Sequence, residues 1–164
     1  MVAKIVKQNG FGIVEIAIVL ALTGILGVGI TTFTAQTITE TKRSSIHMQE
    51  IQQLENAGYW VSRDVQMSQN VTPGPNAGFP LQLNWIDENH NTYQVTFNMT
   101  DSKIQRSLIE NGGAPLLTLI AQSINPNPTL TNCNYTNGLL TFNVTATLGT
   151  WSTSRAYQIK KRPG

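Results

Sequence analysis

Hydrophobic and polar positions follow three regimes along the chain. From Phe11 to Ile30 the sequence reads FGIVEIAIVLALTGILGVGI, apolar on every side of a helix. At ~1.5 Å per residue such a stretch spans about 30 Å, the thickness of a bilayer core. Gly24, Gly27 and Gly29 weaken its last turns by up to ~1 kcal/mol each relative to Ala. From Thr31 to Gln69 no proline interrupts the sequence. Met48, Ile51, Leu54, Gly58, Val61 and Val65 recur there at spacings of three and four, the mark of one helical face. Ala57, Trp60 and Met67 widen that face, while Lys42, Arg43, Glu50, Glu55, Arg63 and Asp64 fall largely elsewhere. The pattern predicts one helix from about Phe11 to Asn70. Residues 11–30 form its all-apolar half and residues 31–72 its amphipathic half, which packs against a globular head. Pro73-Gly74-Pro75 stops it.

Beyond Pro80 the period switches to two. Leu81, Leu83 and Trp85 alternate, Asp87–Asn91 makes a turn, and Tyr93, Val95, Phe97 and Met99 alternate next. Further strands are predicted at Ile104–Ile109, Leu116–Ala121, Leu139–Leu148 and Arg155–Lys161. Asn125-Pro126-Asn127-Pro128 reads as a loop that cannot pair in a sheet centre. Strands joined by short turns imply an antiparallel sheet with one face on the helix and one in water. The fold class is therefore α+β, with residues 73–164 as a β-rich head.

Charge sharpens this division. Charged residues make up 12% of the 164, about half the usual ~25%. Their place is taken by uncharged polar residues, chiefly 20 Thr and 15 Asn. A charge-driven disordered chain is excluded. With a net charge of +2 and only Lys160, Lys161 and Arg162 clustered, no specific nucleic-acid binding is predicted. From Phe11 to Thr39 the only charge is Glu15, and from Asn111 to Ser154 there is none. The first gap is apolar and the second rich in Thr, Asn and Gly, so the chain serves two environments. Without residues 1–10 the charged side chains balance, 9 basic against 9 acidic. The lone Cys133 excludes an internal disulfide and a common Cys-based zinc site.

Glu15 needs an explanation, because a carboxylate in a membrane helix is rare and usually functional. An ordinary secretory signal has a shorter apolar core and a small-x-small cleavage site, which is poorly matched here. Were the chain cut after Gly10, Phe11 would carry a new α-amino group four residues before Glu15, on the same helix face. Lys4 and Lys7 before the apolar run lie nearer to it than Lys42 and Arg43 after it, which places the C-terminal part outside the membrane.

Gly10-Phe11-Gly12-Ile13-Val14-Glu15-Ile16, after a short basic leader and before a long apolar run, resembles the class III signal of type IV prepilins and pseudopilins. The resemblance implies a leader over residues 1–10, cleavage by a prepilin peptidase between Gly10 and Phe11, and N-methylation of Phe11. It also implies that Glu15 assists assembly by pairing with the N-terminal amine of an adjacent subunit. Gly12 departs from the commoner Thr, and Ile13-Val14 from the usual Leu-Ile or Leu-Val. The hairpin Tyr93-x-Val95-x-Phe97, followed by Lys103-Ile104-x-Arg106 and a Leu-rich strand, resembles J-type minor pseudopilins and W-type minor pilins. The lack of a Cys pair sets the chain apart from disulfide-stapled major pilins. The expected fold is type IV pilin-like. The expected function is that of a minor structural subunit of a type IV pilus, type II secretion pseudopilus or DNA-uptake filament. Partners would be other pilin or pseudopilin subunits, the peptidase, an inner-membrane assembly platform and, before assembly, the membrane itself. The rival expectation is a signal-anchored extracytoplasmic binding domain that never polymerises.

No catalytic constellation emerges. Asp87-x-Asn89-x-Asn91 opens like a Ca²⁺ loop, but Thr92 stands where an EF-hand needs Gly and Asn98 where it needs Glu. It reads as a solvated hairpin turn. His47 and His90 have no ligand-spaced partner, and no hydrolase, metalloprotease or nucleotide motif is present. The expectation is a protein without enzymatic activity, metal or cofactor.

Overall fold

The structure is a computed structural model and describes residues 12–161. Helix α1 spans Ile13–Met67. Eight strands follow: β1 Asn70–Gly74, β2 Gly78–Ile86, β3 Thr92–Thr100, β4 Lys103–Glu110, β5 Leu116–Gln122, β6 Asn132–Thr136, β7 Leu139–Leu148 and β8 Trp151–Lys160. The fold is α+β and pilin-like in architecture, a long N-terminal helix packed against antiparallel sheet. The chain divides into two compact units at Ser44/Ser45. Among the described residues the first contains only the N-terminal part of α1. The second contains the rest of α1 and every strand.

Alternation of apolar residues places one face of each strand inward. The core joins Leu54, Ala57, Val61 and Val65 of α1 to Leu81, Leu83, Val95, Phe97, Ile104, Leu140, Phe142 and Val144 of the strands. The strands form two sheets where the alternation predicts one. One runs in the order β1-β2-β3-β4-β5 and the other in the order β6-β7-β8. The break falls at the Asn125–Pro128 segment, where neither Pro can donate to a ladder. A bridge between Ile124 and Ala146 and a hydrogen bond from Cys133 N to Ala77 O (2.8 Å) tie the two sheets together. Gly78, at φ +89°, lies so close to Cys133 that a Cβ there would strike it.

Several boundaries differ from the sequence pattern. The helix ends at Met67 rather than Asn70. Buried Ser68 turns its N–H and hydroxyl back onto Val65 O, and Gln69 N then pairs with Asn84 O (2.9 Å). The chain has joined the sheet before Pro73 is reached. Pro73 lies in edge strand β1, where a missing N–H costs least. Strand β8 begins at Trp151 rather than Arg155, because it pairs with β7 up to Leu148↔Trp151. Strand β6 (NCNYT) has too few apolar residues to register as a strand by pattern.

The inward face of α1 also differs. Leu54, Ala57, Gly58, Val61 and Val65 are buried as their spacing predicts, but Met48 and Met67 are exposed, and Ile51 and Trp60 are half-buried. Glu50 and Asp64, expected on the wet flank, are buried. Each is paired across the fold. Glu50 accepts hydrogen bonds from Leu148 N (3.3 Å) and Thr153 Oγ1 (2.8 Å), which clamps the β7–β8 hairpin to the helix. Asp64 receives Nε of Arg106 at 2.6 Å and Nη2 at 3.2 Å. Gly58 lets the Tyr157 ring lie directly on the helix, and Tyr157 donates to Leu54 O (3.0 Å). Gln53 and Asn56 reach the open edge of β5, taking Gln122 N and donating to Ile120 O respectively. A helix that caps an edge strand in this way blunts strand-to-strand association.

Candidate functional site

The resemblance centres on the first turns of α1. Gly12 precedes the helix and Glu15 is its third residue. The Glu15 carboxylate accepts the Gly12 N–H at 3.2 Å. This is the acidic half of a capping box: the side chain at the third helical position satisfies an orphan donor at the helix start. A carboxylate there also faces the positive end of the helix dipole. Gly10 and Phe11, which the resemblance makes the cleavage and methylation positions, lie outside the described residues.

From Ile16 to Ile30 the helix offers an apolar surface broken only by Thr23. Ile13, Val14, Ile16, Ile18, Val19, Leu20, Leu22, Ile25, Leu26, Val28, Ile30 and Phe33 are all more than half exposed. No residue of the most apolar window of α1 is buried, and the helix is long and apolar enough to cross a membrane. A Cβ added at Gly24, Gly27 or Gly29 would meet open space, so nothing in the single chain demands glycine there.

Threonines follow the apolar stretch, and their hydroxyls are satisfied by the helix itself. Thr31, Thr32, Thr34, Thr37, Thr39 and Thr41 each donate to a carbonyl three or four residues earlier, as Thr23 does to Val19 O (2.7 Å). Hydroxyls bonded in this way leave no donor unmet when the helix enters lipid or packs against protein. The self-satisfied surface thus extends past Ile30 to Ala35, the residue before Gln36.

No family model, no curated protein and no solved structure matches this chain.

The other sequence candidates resolve into structural roles. Asp87 accepts the N–H groups of Asn89 (2.9 Å) and Asn91 (2.8 Å) and the Asn91 side-chain amide (2.9 Å). The Asn91 amide first, and then the two backbone N–H groups, hold the carboxyl below its ordinary range. The sequence reading of this segment as a hairpin turn agrees with that geometry. Among the described residues no three His, Cys, Asp or Glu side chains converge to hold a metal. His90 sits in the turn, and His47, largely exposed, has its Nδ1 3.6 Å from Glu50. Lys161 donates to Gln69 O (2.8 Å), beside the C-terminal end of α1. Cys133 is buried, and desolvation pushes its thiol up to about 12. A thiol so placed is chemically inert.

Sequence reasoning missed Glu50 and Asp64 as inward residues. Their spacing carried the signal, since Glu50 lies four residues before Leu54 and Asp64 three after Val61, but their charge argued for the wet side.

Proposed function

We propose that the chain is a subunit, of the minor kind, of a type IV pilus or a related secretion or DNA-uptake filament. One observation carries the reading. Gly10, Phe11 and Glu15 stand in prepilin register before an apolar helix whose apolar window is unburied among the described residues. An exposed apolar surface of that extent marks a membrane or protein contact. The filament reading supplies both in sequence. The leader holds the precursor in the membrane until a prepilin peptidase cuts after Gly10, and the helix then leaves lipid for a bundle of like helices. Lipid neighbours are exchanged for protein neighbours, so little apolar burial is forfeited, and the self-bonded threonines need no new partners.

Glu15 would set the register. Inside the bundle its carboxylate is costly unless a cation meets it, and the new amine of an adjacent Phe11 is that cation. The chain shows no nucleotide-binding motif, so the driving force comes from an assembly platform and motor.

N-terminal mass spectrometry of the protein purified from its native cells tests the proposal. The expected N-terminus is Phe11 with a methylated amine. An intact Met1 in cells with an active prepilin peptidase would sink it, and would favour a signal-anchored domain that does not polymerise.

A further inference from the structure

The outward face of the five-stranded sheet has an unusual chemistry. Strand register places Asn70, Asn84, Gln94 and Ile109 in one row across β1 to β4. Thr72, Gln82, Thr96, Ser107 and Leu117 form the next row. The charged side chains of these strands, Arg106 and Glu110, are on the opposite face with Phe97 and Tyr93, and only Lys103 at one end charges the outward face. A well-behaved surface carries ~25–35% charged residues, whereas this face mixes amides and hydroxyls with the apolar side chains of Ile86, Ile109 and Leu117 and holds a single charge.

These groups are also unspent. Elsewhere in the head many asparagines are bonded to neighbours: Asn91 to Asp87, Asn111 to Asn91 and Asn125 to Thr147 in turns and loops, and Asn143 to Asn132 across β6 and β7. Among the described residues the side chains of Asn70, Asn84 and Gln94 make no such bond. They surround a depression of about 400 Å³, whose rim also includes the apolar side chains of Ile86 and Ile109. That volume lies within the ~300–1,000 Å³ range of small-ligand sites.

We infer that this depression binds a neutral oligosaccharide, with Asn70, Asn84 and Gln94 as its hydrogen-bonding residues. An amide both donates and accepts, as a sugar hydroxyl does, so each can satisfy the other in either sense. Ile86 and Ile109 suit the C–H face of a pyranose ring. Other ligand classes fit worse. An anion would find no cation in the row, and a cation no carboxylate. An apolar ligand would desolvate the amides without replacing their hydrogen bonds with water. An extended peptide gains its main-chain bonds at a sheet edge, whereas Asn84, Gln94 and Ile109 stand on interior strands of the sheet. The inference stands apart from the filament reading and applies equally to an anchored monomer.

The test uses the full chain in a detergent without a sugar headgroup. It is screened against immobilised neutral, sialylated and sulfated glycans and an unrelated peptide library. Any neutral glycan retained is then titrated by calorimetry against the wild type, the Asn84→Ala/Gln94→Ala double variant and the near-isosteric Gln94→Glu. Retention of neutral glycans is expected, with at least tenfold weaker binding in both variants at an unchanged thermal transition. Gln94→Glu carries the comparison should the double variant fold poorly. Failure to retain any neutral glycan, a preference for charged glycans or peptides, or undiminished affinity in a folded variant would each overturn the inference.

Discussion

Asp64 and Arg106 show how little a residue's type reveals about its place. Their paired side chains are almost fully buried, and the guanidinium lies 5.0 Å from the centre of the Trp60 ring, which adds a cation–π contact. Desolvating both charges offsets much of their attraction, so the pair acts chiefly to set the register of α1 on β4. Asp64→Leu or Arg106→Met alone should cost about 3–5 kcal/mol in urea unfolding, by leaving one buried charge unmet. The double variant should cost much less, and additive losses would show that the two residues are not coupled. Cys133 makes a second prediction. Its folded value of about 12 lies above the ordinary thiol value of roughly 8.5, so the folded state holds its proton longer than the unfolded state. Its stabilising contribution is complete below pH ~8.5 and falls by about 1.4 kcal/mol per pH unit up to the folded value. Denaturant titrations from pH 8 to 11 should show that loss, and Cys133→Ala should flatten the slope. Over the same range the wild-type thiol should resist iodoacetamide until the protein unfolds.

The first turn of α1 poses a different question, because Glu15 has two possible roles. Its bond to Gly12 N is a local cap, and a cap contributes only ~0.5–2 kcal/mol. Removing it should leave a 55-residue helix intact. The assembly role requires its charge. Glu15→Ala should therefore permit leader cleavage but lower filament incorporation at least tenfold, measured by shear fractionation. Glu15→Gln keeps an acceptor for Gly12 and loses the charge, and it should fail in the same way. Normal incorporation of Glu15→Gln would reduce Glu15 to a cap. At the other end of α1 the element boundary was legible only in part. Proline and glycine punctuation marked a stop, yet the helix ends before Pro73, because Gln69 finds Asn84 of β2 first.

For the whole molecule, the division at Ser44/Ser45 separates a unit with no buried residue from one that holds the core, among the described residues. Every buried residue lies in the second unit, from Glu50 onward, and the first contributes only exposed surface among the described residues. A chain beginning at Ser45 should therefore fold cooperatively and stay soluble without detergent, with a thermal transition within a few degrees of the full chain. Calorimetry and gel filtration check this. An aggregated or molten product would show that the N-terminal half is needed for folding, not for membrane or partner contact alone.

What the sequence determined by itself is what depends on near neighbours. The all-apolar run, the three-and-four spacing that follows it, the switch to a period of two and the Gly/Pro punctuation predicted the α+β class, the long helix and most of the strands. They did so because backbone geometry repeats over a few residues. The resemblance of Gly10, Phe11 and Glu15 to a prepilin signal rests on the same kind of local pattern, a short motif in fixed register with an apolar run. The tertiary structure alone decided what depends on distant partners. Asp64 meets Arg106 across 42 positions and Glu50 meets Thr153 across 103, and only those partners make a buried carboxylate tolerable. The split into two sheets, the recruitment of β6 and the nearly uncharged outward face of β1 to β4 likewise arise from strand pairing, which no local pattern encodes.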